Sequence, residues 1–191
     1  MKKLLLIIAI SILSFSVNAE SRFGDLTEMR DERMRGKDGK WVRPHPGPFI
    51  WNGIERTQGV FSWEQTDKYV AYAQEHNQKT LATIWPHANW EQKSCKRRKA
   101  SSPFGRKFTK YLSKPCSMDN YKIFLTKLVD RYDGDGKNDM PGLTKPIKHW
   151  QIMNEPEYKM FFSGKREDFV EIFNFSSELI KSKQKDSVIV M

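Results

Sequence analysis

Apolar and polar positions along this chain follow two alternating rhythms. Tyr121, Phe124, Leu125, Leu128, Val129 and Tyr132 recur at i, i+3, i+4, i+7, i+8 and i+11, so they share one face of a helix. Ser117 precedes that run as its cap. Residues 60–78 and 167–184 show the same helical rhythm, the first with Ser62 and Gln65 in a capping-box spacing. Between the helices lie short apolar runs that read as strands: 41–47, 79–86, 146–156 and 187–191. Residues 20–40 are highly charged and give no confident strand.

Strands alternating with amphipathic helices predict parallel βα units and an α/β fold. Parallel strands covered on both faces should be almost continuously apolar, and residues 80–85 and 187–191 fit that expectation. No internal repeat or low-complexity linker interrupts the pattern, so one domain is expected.

The N-terminus changes where the chain is placed. Met1-Lys2-Lys3 is a short basic head, followed by an apolar run of about fourteen residues and by Val17-Asn18-Ala19. This predicts a signal peptide over residues 1–19 and an exported product, periplasmic or secreted, over residues 20–191. The run is short of the ~20 residues of a membrane span, so no stable anchor is expected after cleavage.

Export in turn gives meaning to Cys95 and Cys116, the two cysteines of the chain. Outside a reducing compartment such a pair reads as a disulfide, worth about 3 kcal/mol for a loop of this size. The loop is rich in lysine and arginine, and the chain carries a formal charge of +10. A basic cluster attracts polyanions, yet in an exported protein a solvated loop explains it as well, so nucleic acid is not the expected partner.

Polar residues at the C-terminal ends of parallel strands face the loops that build an active site. Three such ends are visible: Arg43 and His45; Trp85, His87, Asn89 and Trp90; Asn154, Glu155 and Glu157. Carboxylates, amides, imidazoles and indoles on one rim suit a carbohydrate, whose rings stack on aromatic faces and whose hydroxyls pair with polar groups. Each residue also has a plainer reading. Arg43 and His45 can form a structural pair, Asn154-Glu155-Pro156 can be a simple strand end, and Glu157 a solvated loop residue. Trp51 and Trp63 read as core.

Residues 41–73 followed by "HWQIMNEPE" resemble the first half of the clan A glycoside hydrolases, (β/α)8 barrels that cleave β-linked sugars with retention. The resemblance rests on Asn154-Glu155-Pro156 after an apolar strand, and on Ile54-Glu55 through Gly59, Phe61, Trp63 and Asp67 leading into a helix. It implies a partial (β/α)8 barrel of about the first four to five βα units, with the Asn-Glu-Pro motif ending strand four. It implies Glu155 as acid/base, Asn154 as the amide on the sugar 2-hydroxyl, and Arg43 as support for the nucleophile. With weaker matches it adds His45, Trp85 and His87 to the substrate site. A carboxyl at such a rim is expected to be partly buried, which favours the neutral form that a general acid needs.

The nucleophile of that clan ends strand seven, and no glutamate here matches it. Glu55 and Glu64 lie at or near a helix start, and Glu167, Glu171 and Glu178 lie in the last helix. The chain is therefore expected to be an incomplete catalytic domain, inactive alone and prone to self-association through its open sheet edges. A non-catalytic carbohydrate-binding protein is the alternative. No cofactor is required. Asp133, Asp135 and Asp139 fall at positions one, three and seven of a calcium-loop pattern, but Lys137 stands where an oxygen ligand is wanted, and a plain Asp-Gly turn suits the segment too.

Overall fold

The structure, a computed structural model, describes residues 24–27, 40–97 and 111–191. The segment 1–19 expected to be a signal peptide lies outside the described residues, as do residues 98–110 of the basic loop. No helix among the described residues is long and apolar enough to cross a membrane.

Five parallel strands lie side by side in chain order: β1 (Gly24–Thr27), β2 (Trp41–Pro44), β3 (Lys79–Ile84), β4 (His149–Ile152) and β5 (Val188–Val190). The helices between them are α1 (Trp51–Ile54), α2 (Glu64–Glu75), α3 (Asn89–Ser94), α4 (Met118–Tyr132) and α5 (Arg166–Lys183). Sequential order with every pair parallel is the arrangement of consecutive βα units. The Asn-Glu-Pro motif follows the fourth strand, as the resemblance implies.

β1 was not expected from the charged 20–40 segment. Gly24, Asp25, Leu26 and Thr27 pair with Trp41, Val42, Arg43 and Pro44, so a neighbouring strand holds what periodicity alone does not mark. At Gly24 a Cβ would come within 2.6 Å of the Trp41 Cβ, which requires glycine at that approach.

Alternation along the strands divides the sheet into two faces. Val42, Ala82, Ile84, Trp150 and Ile152 are buried on the face that packs against the helices. The apolar face of α4 meets them, with Tyr121, Phe124, Leu125, Leu128, Val129 and Tyr132 all fully buried. At about 1.5–3 kcal/mol per large apolar side chain, this face dominates the stability. Trp51 from α1 enters the same core, stacked on Phe124 at 5.3 Å.

The opposite face carries Trp41, Arg43, Leu81, Gln151 and Val190, all half-buried, with Val188 exposed. Burial on both faces, expected from the apolar runs, is thus not what the described residues show. The helical core lies against the first face; on the second, Thr83 is fully buried beside its half-buried neighbours.

Helix ends show what sequence spacing can and cannot fix. Ser117 caps α4, accepting from the Asn120 backbone N–H at 3.2 Å. Ser62 does not cap α2; the N-cap position is one residue later, at Trp63, which makes no side-chain cap bond. Its first turn is held by Asp67, which accepts from Arg131 at 2.9 and 2.5 Å and from the Tyr132 hydroxyl at 2.7 Å. In α5, Asp168 reaches back to the Lys165 N–H at 2.9 Å.

Candidate functional site

Three strand ends converge through one hydrogen-bonded chain of side chains. Arg43 from β2 donates through Nε to Thr83 Oγ1 of β3 at 3.3 Å and to Gln151 Oε1 of β4 at 2.8 Å. Thr83 Oγ1 donates to the same Gln151 oxygen at 2.9 Å. A terminal guanidinium nitrogen of Arg43 donates to Asn154 Oδ1 at 2.5 Å, and Asn154 Nδ2 donates to Glu155 Oε2 at 3.1 Å. The fork geometry of arginine suits such bridging, because its donors are fixed in one plane. Burial lowers the Arg43 pKa from its ordinary value, and the Glu155 carboxylate pulls it back up.

The backbone at the end of β4 aims this chain outward. Met153 and Glu155 both adopt left-handed φ, +65° and +45°. For residues with a Cβ this conformation costs about 1–2 kcal/mol each. Met153 pays by burying its side chain completely and by donating its N–H to the Ile84 carbonyl at 3.0 Å. Glu155 is exposed, so no burial offsets its strain, although its carbonyl accepts from the Tyr158 N–H at 3.0 Å. The partial burial expected for its carboxyl is therefore not observed, because no described segment lies over it.

The end of β3 is built differently. Trp85 is 4% exposed; its indole N–H donates to the Pro46 carbonyl at 2.7 Å, and its ring packs beside His45 and Phe161 at 6.2 and 5.8 Å. Trp85, Ile50 and Phe161 form a small apolar cluster apart from the main core, under the loop that follows Glu155. His87 is fully buried, its Nδ1 3.2 Å from the Ser113 carbonyl and its ring stacked near Phe162. Burial pushes its imidazole down to about 4, against the carbonyls of Ser113, Phe161 and Pro86. His87 thus does not reach a surface of the described residues. The chain leaving β3 carries it beneath residues 111–113 and 161–162, where a neutral imidazole serves as packing and a hydrogen-bond partner.

Other residues singled out in the sequence resolve as structural. Glu55 is buried, accepting from Trp51 Nε1 at 2.6 Å and from the Gly59 N–H at 2.7 Å, so it pins the loop after α1. Glu157 is exposed. Cys95 and Cys116 are joined, with Cα atoms 5.8 Å apart, linking the end of α3 to the residue before the α4 cap. Beside that bridge Glu91 is buried and accepts from the Ser117 N–H at 2.6 Å, its pKa raised chiefly by desolvation.

Asp133, Asp135 and Asp139 lie together, with one oxygen of each within 4.8 Å of the others. An all-oxygen set suits a hard cation. These oxygens are also engaged by their own loop: Asp139 accepts from Gly134 and Gly136 N–H at 3.0 and 2.8 Å, Asp133 from Asp135 at 3.3 Å, and Asp135 from Lys137 at 2.7 Å. Such Asx turns close an Asp-Gly loop without an ion.

Three features of the site escaped sequence reading. Thr83 and Gln151 are polar residues inside strand runs, and a polar residue facing the same side as Arg43 was the available signal. Tyr158, 56% exposed and one turn beyond Glu155, carried no periodic signal at all.

No family model matches the chain, and no curated protein matches it either. Among solved structures it is similar to a GH39 beta-xylosidase from Caulobacter crescentus, with a TM-score of 0.64 at 11% identity, covering 91% of this chain and 40% of that one. A GH39 enzyme from Xanthomonas axonopodis pv. citri gives a TM-score of 0.64 at 12% identity, covering 91% of this chain and 35% of that one. A glucosidase from Croceicoccus marinus gives 0.57 at 13% identity, covering 80% and 30%. This chain therefore spans well under half the length of these proteins. Its fold is that of a partial (β/α)8 barrel.

Proposed function

We propose that this chain binds β-linked oligo- or polysaccharide at the strand-end rim, with Glu155 as the acid/base of a retaining two-carboxylate mechanism. The observation that carries the reading is the unbroken path Arg43–Asn154–Glu155, braced by Thr83 and Gln151 and ending on an exposed carboxylate. In this reading Glu155 protonates the leaving glycosidic oxygen and later takes a proton from water. Asn154 holds the sugar 2-hydroxyl, Arg43 fixes the Asn154 amide by occupying its oxygen, and His45 and Trp85 form the wall beneath. The similar solved structures include a beta-xylosidase and a glucosidase, so xylo- and gluco-configured sugars are the first to test.

Retention needs a second carboxylate about 5–5.5 Å from the first. The reading assigns that role to no residue of this chain and expects the chain alone to bind without cleaving. Purified protein is incubated with aryl β-xylosides and β-glucosides, and binding of the disaccharides is measured by calorimetry. No turnover, with disaccharide binding weakened about tenfold or more in Asn154→Ala, is the expected result. Turnover that disappears in Glu155→Gln would keep the acid/base role and remove the claim of inactivity. Turnover indifferent to Glu155→Gln would remove the acid/base role.

The exposure of Glu155 favours a second reading, a carbohydrate-binding protein without catalysis, because a general acid is served by burial. Glycan binding that is unchanged in Glu155→Gln and lost in Asn154→Ala would select it. Under either reading the chain is exported; the Cys95–Cys116 bond is of the kind that persists outside the cytoplasm. Association through the outer strands β1 and β5 is also proposed, and would appear as a concentration-dependent mass in light scattering.

A further inference from the structure

Residues 111–117 make hydrogen bonds to the segments after both β3 and β4. Gln92, fully buried in α3, pairs with Ser113 as one amide pairs with another: its Nε2 donates to the Ser113 carbonyl, and its Oε1 accepts from the Ser113 N–H at 3.1 Å. On the other side Ser113 Oγ shares a hydrogen bond with Ser163 Oγ at 2.9 Å, and the Leu112 carbonyl accepts from the Ser163 N–H at 2.7 Å. Tyr111, Leu112 and Ser113 are all buried. From Ser163 the path returns to the rim through the backbone. The Phe161 and Phe162 N–H groups donate to the Tyr158 carbonyl at 2.9 and 3.0 Å, and the Tyr158 N–H donates to the Glu155 carbonyl at 3.0 Å. What holds Leu112 and Ser113 therefore also holds the loop that begins at Glu155.

A covalent bond fixes this arrangement at one point. Cys95, at the end of α3, is joined to Cys116, and the noncovalent pairs fall on both sides of the bridge: Gln92 with Ser113, and buried Glu91 with the Ser117 N–H at 2.6 Å. The bridge thus sets the register of residues 111–117 against α3. Cys95 is exposed and Cys116 half-buried, whereas Gln92, Leu112 and Ser113 are buried. Thiols in solution can reach the bond but not the contacts it fixes, and an exposed disulfide is the kind that responds to its redox surroundings.

We propose that the Cys95–Cys116 bond is a redox-sensitive latch on the rim: formed, it locks residues 111–117 onto α3 and through them residues 155–163; reduced, it frees that loop and leaves the rest of the domain folded. The consequence for sugar binding rests on the proposed function, and the consequence for the loop does not. To close the latch, the thiolate of one cysteine attacks a sulfur of a small-molecule or protein disulfide, and the second cysteine then displaces the mixed disulfide. The donor takes up two electrons and two protons and leaves as two thiols. On the export reading, the rim is completed only after the chain leaves the reducing cytoplasm.

The full chain is oxidised with glutathione disulfide or reduced with dithiothreitol, which itself becomes a cyclic disulfide. Amide hydrogen exchange is followed residue by residue, alongside calorimetric titration with xylobiose and cellobiose. Reduction is expected to speed exchange of the Tyr158, Phe161, Phe162 and Ser163 amides about tenfold or more, while the Leu125 and Leu128 amides of α4 keep their protection. Disaccharide affinity is expected to fall about three- to tenfold, because only the fraction of molecules with the loop in place binds. Cys95→Ala/Cys116→Ala should match the reduced chain and ignore dithiothreitol. Unchanged exchange in the loop would overturn the latch, and so would an equal rise in α4, which would make the bond a staple of the whole domain. A response of the double variant to dithiothreitol would overturn it as well. Faster loop exchange with unchanged sugar affinity would overturn the link to the rim and leave the proposed function standing. Absence of sugar binding in both redox states would overturn the proposed function, with exchange still deciding the latch.

Discussion

The ends of β3 and β4 began as equivalent candidates and were built to opposite ends. After β3, Trp85 and His87 turn inward: the Trp85 indole N–H and His87 Nδ1 meet backbone carbonyls, Trp85 packs on Phe161 and His87 on Phe162. After β4, two left-handed residues turn the chain so that Asn154 and Glu155 face solvent and are held by a guanidinium from β2. A polar residue at a strand end is thus only placed near the rim by the fold. Whether it faces the rim depends on the next few backbone torsions and on what packs over them. The buried end also serves the exposed one, since Phe161 and Phe162 anchor the loop that starts at Glu155.

If the β3 end is structural, the largest effect should come from His87→Ala. Removing a fully buried ring, with its bond to the Ser113 carbonyl, is expected to cost about 3–4 kcal/mol in urea unfolding. Glu155→Gln should change stability by less than about 0.5 kcal/mol, as an exposed substitution does. Equal costs at the two positions would break the contrast.

The pH dependence sharpens the same point. His87 has its folded pKa depressed to about 4 from an ordinary 6.5, so below pH 6.5 the unfolded chain takes up a proton that the folded chain refuses. Its contribution is complete above pH 6.5, is lost progressively as pH falls to about 4, and is constant below that. The total is about 3 kcal/mol. Glu91 and Asp133, both raised chiefly by burial, oppose this slope in the acid range. The difference between wild type and His87→Ala isolates it, and a difference independent of pH would show that His87 is not buried neutral.

Arg43 stands between the two ends, because it touches Thr83 of β3 and both Gln151 and Asn154 beyond it. Arg43→Met keeps much of the apolar stem and removes the fork. A loss of about 1–2 kcal/mol in stability is expected, for the hydrogen bonds left unmade, with a loss of disaccharide affinity of tenfold or more as Asn154 is freed. Lost stability with intact binding would make Arg43 a strand clamp rather than a member of the site.

Most of the architecture was legible because periodicity reports burial. The α4 stripe from Tyr121 to Tyr132 is buried as spaced, and the apolar runs at 79–86, 146–156 and 187–191 each contain a strand. β1 was not legible, since Gly24–Thr27 has a single large apolar residue and that residue, Leu26, is exposed; pairing with β2 defines it. Ser62 has the spacing of a cap, but the Asp67–Arg131 pair sets where α2 begins, and that partner is sixty-four residues away. In the site, Arg43, Asn154 and Glu155 were named from the motif and lie in one chain of hydrogen bonds. The burial of His87 and the exposure of Tyr158 were not legible, because neither torsions after a strand nor the anchoring of a loop leaves a periodic trace.

The smallest effect tests whether the β4 end sacrifices stability for geometry. Glu155 is exposed, non-glycine and at φ +45°, a combination that costs folding energy without any burial to offset it. Glycine takes this conformation freely, although it also loosens the unfolded chain, so Glu155→Gly is expected to gain up to about 1 kcal/mol. Sugar binding should fall in the same variant, because the turn onto Tyr158 survives while the carboxylate is gone. Glu155→Gln, with the strain retained, separates the two contributions: it should lose the carboxylate without gaining stability. A Glu155→Gly variant no more stable than Glu155→Gln would mean that the left-handed turn is relaxed by its neighbours, and that the contrast between the strand ends lies in packing alone.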